Sequence, residues 1–253
     1  MKGISKVLIL AMTLTIAAAG VAMATPSTQI WIPSTDVQAY KSLHLGLDNY
    51  TRTSSGGSST RPNVYDLGLT AGVLPFEKVQ AEVGIDYITY GNAYDSHPIY
   101  FNAKLATPEE SLFTYSPSLA LGGYGIGTNW DESSAARTDQ NIVYGLVAKT
   151  LPVVGRLSAG YYVGNDKVLL DKNGNRENDG VLLSWDRTMT EISDKLWLAV
   201  DYQGGKNALG ALSFGASWAF AKNVSVIVGY DIYNDKALAG QNTFTTQVDI
   251  NFP

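Results

Sequence analysis

The segment Thr243-Phe244-Thr245-Thr246-Gln247-Val248-Asp249-Ile250-Asn251-Phe252 decides how the chain is read. Side chains on an extended strand alternate with period two. Phe244, Thr246, Val248, Ile250 and Phe252 therefore share one face, which is apolar but for Thr246. Thr243, Thr245, Gln247, Asp249 and Asn251 share the other, which is polar. The segment lies at the chain end and closes on an aromatic residue, with only Pro253 after it.

The same alternation recurs upstream. About twelve strand-like segments follow one another, and no helix-period stretch of useful length interrupts them after residue 25. The expected outward rows include Leu43, Leu45 and Leu47; Leu67, Leu69, Ala71 and Val73; Val79, Ala81, Val83, Ile85 and Tyr87; and Ile99, Phe101, Ala103 and Leu105. They continue through Ile142, Tyr144, Leu146 and Ala148; Leu157, Ala159, Tyr161 and Val163; and Val181, Leu183 and Trp185. Leu196 to Tyr202, Leu212 to Phe220 and Val224 to Ile232 supply three more before the closing strand. The segment near 113–127 is Gly-rich, and its phase is not set by the pattern. Gly68 to Pro75 resembles Gly145 to Pro152 four strands later, as hairpin duplication would leave it.

Short turns alternate with longer polar connections. Those near 74–78, 107–112, 150–155, 188–194 and 221–223 are short, while those at 51–62, 91–97, 128–139, 165–179, 203–208 and 234–241 are mostly longer. Outward aromatics fall at both strand ends. Trp185, Trp218, Phe220 and Phe252 lie toward the short turns, and Tyr87, Tyr202, Tyr230 and Phe244 toward the long loops. Two such belts suit the two interfaces of a bilayer, where an amphipathic ring gains from both environments. A sandwich would instead need a second set of apolar faces and charged outer ones.

The chain has 253 residues, 45% of them hydrophobic, with a mean hydropathy of −0.02. A barrel strand of about 10 alternating residues averages to a neutral value, so this figure does not exclude a membrane protein. Residues 1–24 read as a signal peptide. Lys2 and Lys6 precede an apolar run, and Ala22-Met23-Ala24 forms a small-x-small cleavage site before Thr25. There is no cysteine, hence neither disulfide nor lipoprotein anchor. Losing Lys2 and Lys6 leaves 16 basic against 23 acidic residues, a net charge of −7 that disfavours nucleic acid as a partner. Residues 25–36 form an irregular lead-in. Pro26 and Pro33 bar an interior strand, and Ile30-Trp31-Ile32 makes an apolar island that would tuck into a barrel mouth or lie at the interface.

Together, the signal peptide, the alternating strands, the two belts and the aromatic-ended last strand resemble bacterial outer-membrane β-barrels of porin-like architecture. The likeness spans the mature chain at the level of architecture, matches no porin subfamily, and so carries over no ligand residue. It implies an all-β, single antiparallel up-and-down transmembrane barrel over 37–253. It also implies outer-membrane lipid as surroundings, barrel-assembly machinery recognising the C-terminal strand, and small solutes or ions as cargo.

Chemistry in the wall is sparse. His44 has lumen parity, which is wrong for a barrel hydrolase acting on lipid, and His97 precedes Pro98 at a loop end. No Gly-x-Ser-x-Gly elbow is present, so no enzyme and no cofactor are expected. Asp171 to Asp179 spaces oxygens as a calcium loop would, but its glycine is fourth rather than sixth, and Asn173-Gly174 is a good turn in itself. The informative residues are charged and inward. Asp48, Asp66, Asp86, Asp201 and Asp231 are expected near the long-loop end, with Glu82 deeper. Lys104, Lys149, Arg156 and Lys195 are expected toward the short turns. An acidic vestibule favours cations; a merely wet wall would need the same polarity without selectivity. Inward Gly68, Thr70 and Gly72 and Ala211 to Ser217 leave space, while Tyr100, Tyr162, Trp197 and Tyr233 take it up. A narrow pore is the first expectation and a plugged structural or adhesive barrel the second.

Overall fold

A computed structural model describes residues 27–54 and 61–253. The expected signal peptide, residues 25 and 26 of the lead-in and part of the first long loop lie outside the described residues. Twelve antiparallel strands close into one barrel. They are β1 (Leu43–Arg52), β2 (Val64–Gly72), β3 (Gln80–Thr89), β4 (Ile99–Thr107), β5 (Ser118–Gly127) and β6 (Asp139–Leu151). β7 (Gly155–Val163), β8 (Asp179–Thr188), β9 (Leu196–Gln203), β10 (Ala211–Ala221), β11 (Val224–Tyr233) and β12 (Thr243–Phe252) complete it. Each strand pairs with its sequence neighbours, and β1 meets β12 to remove both sheet edges. At that seam Leu43 faces Phe252, Leu45 faces Ile250 and Leu47 faces Val248, so the apolar row of the closing strand continues the apolar row of the first. A short α-helix, α1 (Lys236–Ala239), folds within the last long loop; Asp235 caps it by accepting the N–H of Ala237.

Large apolar side chains cover the outer wall, including Leu67, Val83, Leu105, Val147, Leu183 and Phe214. This is the arrangement of a barrel solvated by lipid. The aromatic residues of both belts stand on this outer face, and the Trp185 indole N–H also donates to the Val154 carbonyl in the β6–β7 turn at 2.7 Å.

One strand takes a phase that the pattern left open, and another reverses the expected one. In β5 the register slips between Tyr124 and Ile126, a bulge that explains why its pattern had no single period. In β6 the rows are exchanged: Ile142, Tyr144, Leu146 and Ala148 are buried inside, and Val143, Gly145 and Val147 face out. Both rows of this strand are largely apolar, so alternation could not choose between them. Lys149 consequently lies on the outer side, at the short-turn rim, where its ammonium sits 3.0 Å from Glu109 and 3.7 Å from Glu110. Lys195 is exposed in the β8–β9 turn before β9 begins. Neither lysine lines the lumen.

Candidate functional site

The inward row of β6 is apolar because the lumen is filled by protein. Residues 27–38 run inside the barrel, and Ala39 to Lys41 are exposed at its short-turn rim before β1 begins at Leu43. Their first part is a tight hairpin. The Gln29 N–H donates to the Ile32 carbonyl at 2.8 Å and the Ser34 N–H to the Ser27 carbonyl at 3.1 Å, with Thr28 bridged to Pro33. Pro33 offers no N–H to a ladder, which suits a two-stranded stub that pairs on one side only.

Ile30 and Trp31 form the hairpin tip, and their N–H groups, which the hairpin itself does not bond, need acceptors. Asp201 supplies one: its Oδ2 accepts from Ile30 at 2.8 Å and from Trp31 at 2.9 Å. Gln247 on β12 donates to the Ile30 carbonyl at 2.8 Å. The Ile30 side chain lies over Gly215 and Gly229, where a Cβ would come within 3.2 and 3.4 Å of it. The space left by the small residues of β10 is thus occupied by the chain itself. Ile32 packs with Tyr144, Leu146, Tyr162 and Leu182. Burying Ile30 and Ile32 contributes about 1.5–3 kcal/mol each. Trp31 stands edge-on to Tyr50 and Tyr233, at 5.4 and 5.6 Å between ring centroids, and its indole N–H donates to the Leu209 carbonyl at 2.9 Å. Ala239 of α1 packs with Ala211, Tyr233 and Trp31, so the last long loop covers the hairpin tip.

Charged wall residues hold the returning strand. Lys104 lies 3.2 Å from Glu82 and donates to the carbonyls of Ser27 and Asp36 at 2.8 and 2.6 Å. The other Glu82 oxygen accepts the Gln38 N–H at 2.7 Å. Arg156 bridges Asp36 at 2.6 Å and Asp186 at 2.9 Å, and Asp186 also accepts from the Gln29 amide at 3.0 Å. Charge-assisted bonds of this kind contribute about 1.5–3 kcal/mol each. The segment then crosses Gly72. A Cβ there would stand 1.9 Å from the Ala39 carbonyl oxygen, so only glycine permits this crossing.

The acidic residues therefore separate into two groups. Asp201, Asp231 and Glu82 are buried: the first caps the hairpin, the second accepts from Thr243 at 2.7 Å, and the third is paired with Lys104. Asp48, Asp66 and Asp86 are only half-buried. Asp48 faces Asp66 directly across β1 and β2, and Asp86 is opposite Gly68 with one oxygen accepting from Asn102 at 2.7 Å. With Gly46, Gly68, Gly84 and Asn102 they form a half-buried inward patch along β1–β4, in which Asp66 Oδ1 is itself fully buried. His44, Thr70, Glu82 and Lys104 are buried below and form its floor toward the short turns.

Asp36, Asp186, Gln29 and Gln247 did not stand out in the sequence. Asp186 has inward parity on β8 and is the cross-strand partner of Arg156, a pairing that alternation could have supplied. Asp36 and Gln29 carry no periodic signal. His44 lies 3.5 Å from Asp249 Oδ1 and 3.2 Å from Asn251, whereas Ser225 donates to the other Asp249 oxygen at 3.3 Å. The carboxylate stands between serine and imidazole, which is not the order of a nucleophile–base pair. In the 164–178 loop Asp171 spends its oxygens on turn donors. Asn175 donates from its side chain at 3.0 Å and its backbone at 2.8 Å, and Asn173 from its backbone at 2.8 Å. These bonds hold the Asp171 carboxyl below the usual carboxylate range. Among the described residues no group of three or more His, Asp or Glu could hold a metal ion.

No protein-family model matches this chain, and no curated protein matches it by sequence. Solved structures do match. The KdgM porin aligns with a TM-score of 0.51 at 8% identity, covering 84% of this chain and 98% of its own. The COG4313 outer membrane channel from Pseudomonas putida F1 aligns at 0.48 with 13% identity, covering 91% and 99%. The NanC porin aligns at 0.47 with 9% identity, covering 83% and 99%. The first of these likenesses shows the fold: the chain is a porin-like β-barrel, the architecture of outer-membrane barrels.

Proposed function

We propose that the protein is an outer-membrane channel for ions or small solutes, kept narrow by its own N-terminal hairpin and preferring cations at its outer mouth. The observation that carries this reading is the uneven filling of the lumen. Inward residues of β9–β12 are mostly buried behind the hairpin and the last long loop, while Asp48, Asp66 and Asp86 on β1–β3 are only half-buried. Carboxylates in a low-dielectric cleft concentrate counter-ions and favour cations. Short turns would face the periplasm and long loops the exterior, with the closing strand presented to the assembly machinery. No catalytic role is assigned.

Planar-bilayer recordings under an asymmetric salt gradient test this. The expected result is a small conductance with a cation-directed reversal potential that moves toward zero when Asp48, Asp66 and Asp86 become Asn. An anion-directed potential, unchanged by those substitutions, would sink the selectivity claim. A second reading has its own support, because His44, Thr70, Glu82 and Lys104 floor the patch. In that reading the barrel does not conduct and acts through its long loops. Absence of any conductance from the purified, folded protein selects it.

A further inference from the structure

The connections at the two ends of the barrel differ in a way that channel function does not require. Four of the five short turns carry a large apolar side chain in the open, and at the fifth the last turn-facing residue of the strand does. Phe76 serves β2–β3, Phe113 and Tyr115 serve β4–β5, Val153 serves β6–β7, Ile192 serves β8–β9 and Phe220 precedes β10–β11. Val153 is 83% exposed and Tyr115 77%. Across the described parts of the long loops, Trp130 is the one large hydrophobic residue in the open, and at 58% it is less exposed than any of these.

Backbone geometry adds an independent observation. Val153 has a φ of 67° and Tyr115 a φ of 66°. This left-handed region suits Gly or Asn, and a β-branched residue there is a real outlier. Such a residue costs on the order of 1–3 kcal/mol and persists where surroundings or function require it. At a turn tip in water, Asn or Gly would satisfy the backbone without exposing an apolar side chain.

We propose that the short-turn end of the barrel is inserted into the headgroup–acyl boundary of the adjacent leaflet, so that a phospholipid surface is the partner of these turns. This rests on the membrane-barrel reading. Two observations select lipid over a protein. The apolar turns recur at β2–β3, β4–β5, β6–β7 and β8–β9, and Phe220 at the end of β10 extends the series, so they run round the barrel instead of marking one side. They also continue the outward belt of Trp185, Trp218 and Phe252, to which the β6–β7 turn is tied by the Trp185 hydrogen bond to Val154. Exposed Lys41, Lys78, Lys195 and Lys222 stand at the same end, where ammonium groups meet lipid phosphates.

The cysteine-free sequence makes the test direct. Single cysteines replace Phe113, Val153 or Ile192 in the full folded chain. Each is labelled with an environment-sensitive fluorophore in vesicles of phosphatidylethanolamine and phosphatidylglycerol containing a lipid spin-labelled near the headgroup. Leu183→Cys on the outer wall and Ser133→Cys in a long loop are the references. The expected result is quenching of the turn labels by the spin-labelled lipid to at least half the extent seen at Leu183, with little at Ser133. Turn labels quenched by aqueous iodide but not by lipid, while Leu183 is lipid-quenched, overturn the inference and leave the membrane barrel standing. Lipid quenching at none of the sites, Leu183 included, overturns the membrane reading as well.

Discussion

Asp201 Oδ2 lies 2.9 Å from the backbone nitrogen of Trp31, a residue 170 positions earlier in the chain. The same oxygen accepts from Ile30, so one buried carboxylate closes the tip of the luminal hairpin. Substituting Asp201 with Ala leaves two buried N–H groups without their acceptor. Each orphaned donor costs about 1–3 kcal/mol. Amide hydrogen exchange at Ile30 and Trp31 should accelerate at least tenfold in D201A, while exchange in β1 stays as in the parent. Unchanged protection at both amides would show that the hairpin is held by its side chains alone.

Gly72 and Ala39 supply a steric test of the same segment. A Cβ on residue 72 meets the Ala39 carbonyl oxygen at 1.9 Å, far inside contact. Gly72→Val should drive residues 38–42 off the wall and enlarge single-channel conductance. Deleting residues 27–38 should do so more strongly. Equal conductance for parent, G72V and the deletion would mean that the hairpin does not limit flow.

Lys104 and Glu82 form a buried pair whose other bonds go to the hairpin. Removing one member of such a pair leaves an uncompensated charge, typically costing about 3–5 kcal/mol. Lys104→Met should therefore destabilise the barrel more than the double variant Lys104→Met/Glu82→Gln. Denaturant unfolding in detergent reads the difference, and equal destabilisation by the two would contradict the pairing argument.

The separation of the carboxylates predicts which of them set ion preference. Asp201→Asn and Asp231→Asn should leave the reversal potential of a hairpin-bearing barrel unchanged, because both residues are buried beside the hairpin and last loop. Asp48→Asn, Asp66→Asn and Asp86→Asn should each shift it. A shift from Asp231→Asn equal to that from Asp66→Asn would place the ion path on the opposite side of the lumen.

The amino-acid sequence by itself determined the strand number, the alternation of short and long connections, the seam between β1 and β12 and the apolar outer wall. These follow from local period-two patterning, because one face of nearly every strand must meet lipid and the other must not. Asp48, Asp66 and Asp86 were legible as inward residues for the same reason. Only the tertiary structure decided what the inner face meets. The burial of Ile30 and Ile32, the capping by Asp201 and the bridging of Asp36 by Arg156 join segments that are far apart in sequence and share no period. The inverted phase of β6 has the same origin: its inward row is apolar because it packs on Ile32, and a strand with two apolar rows gives alternation nothing to choose between.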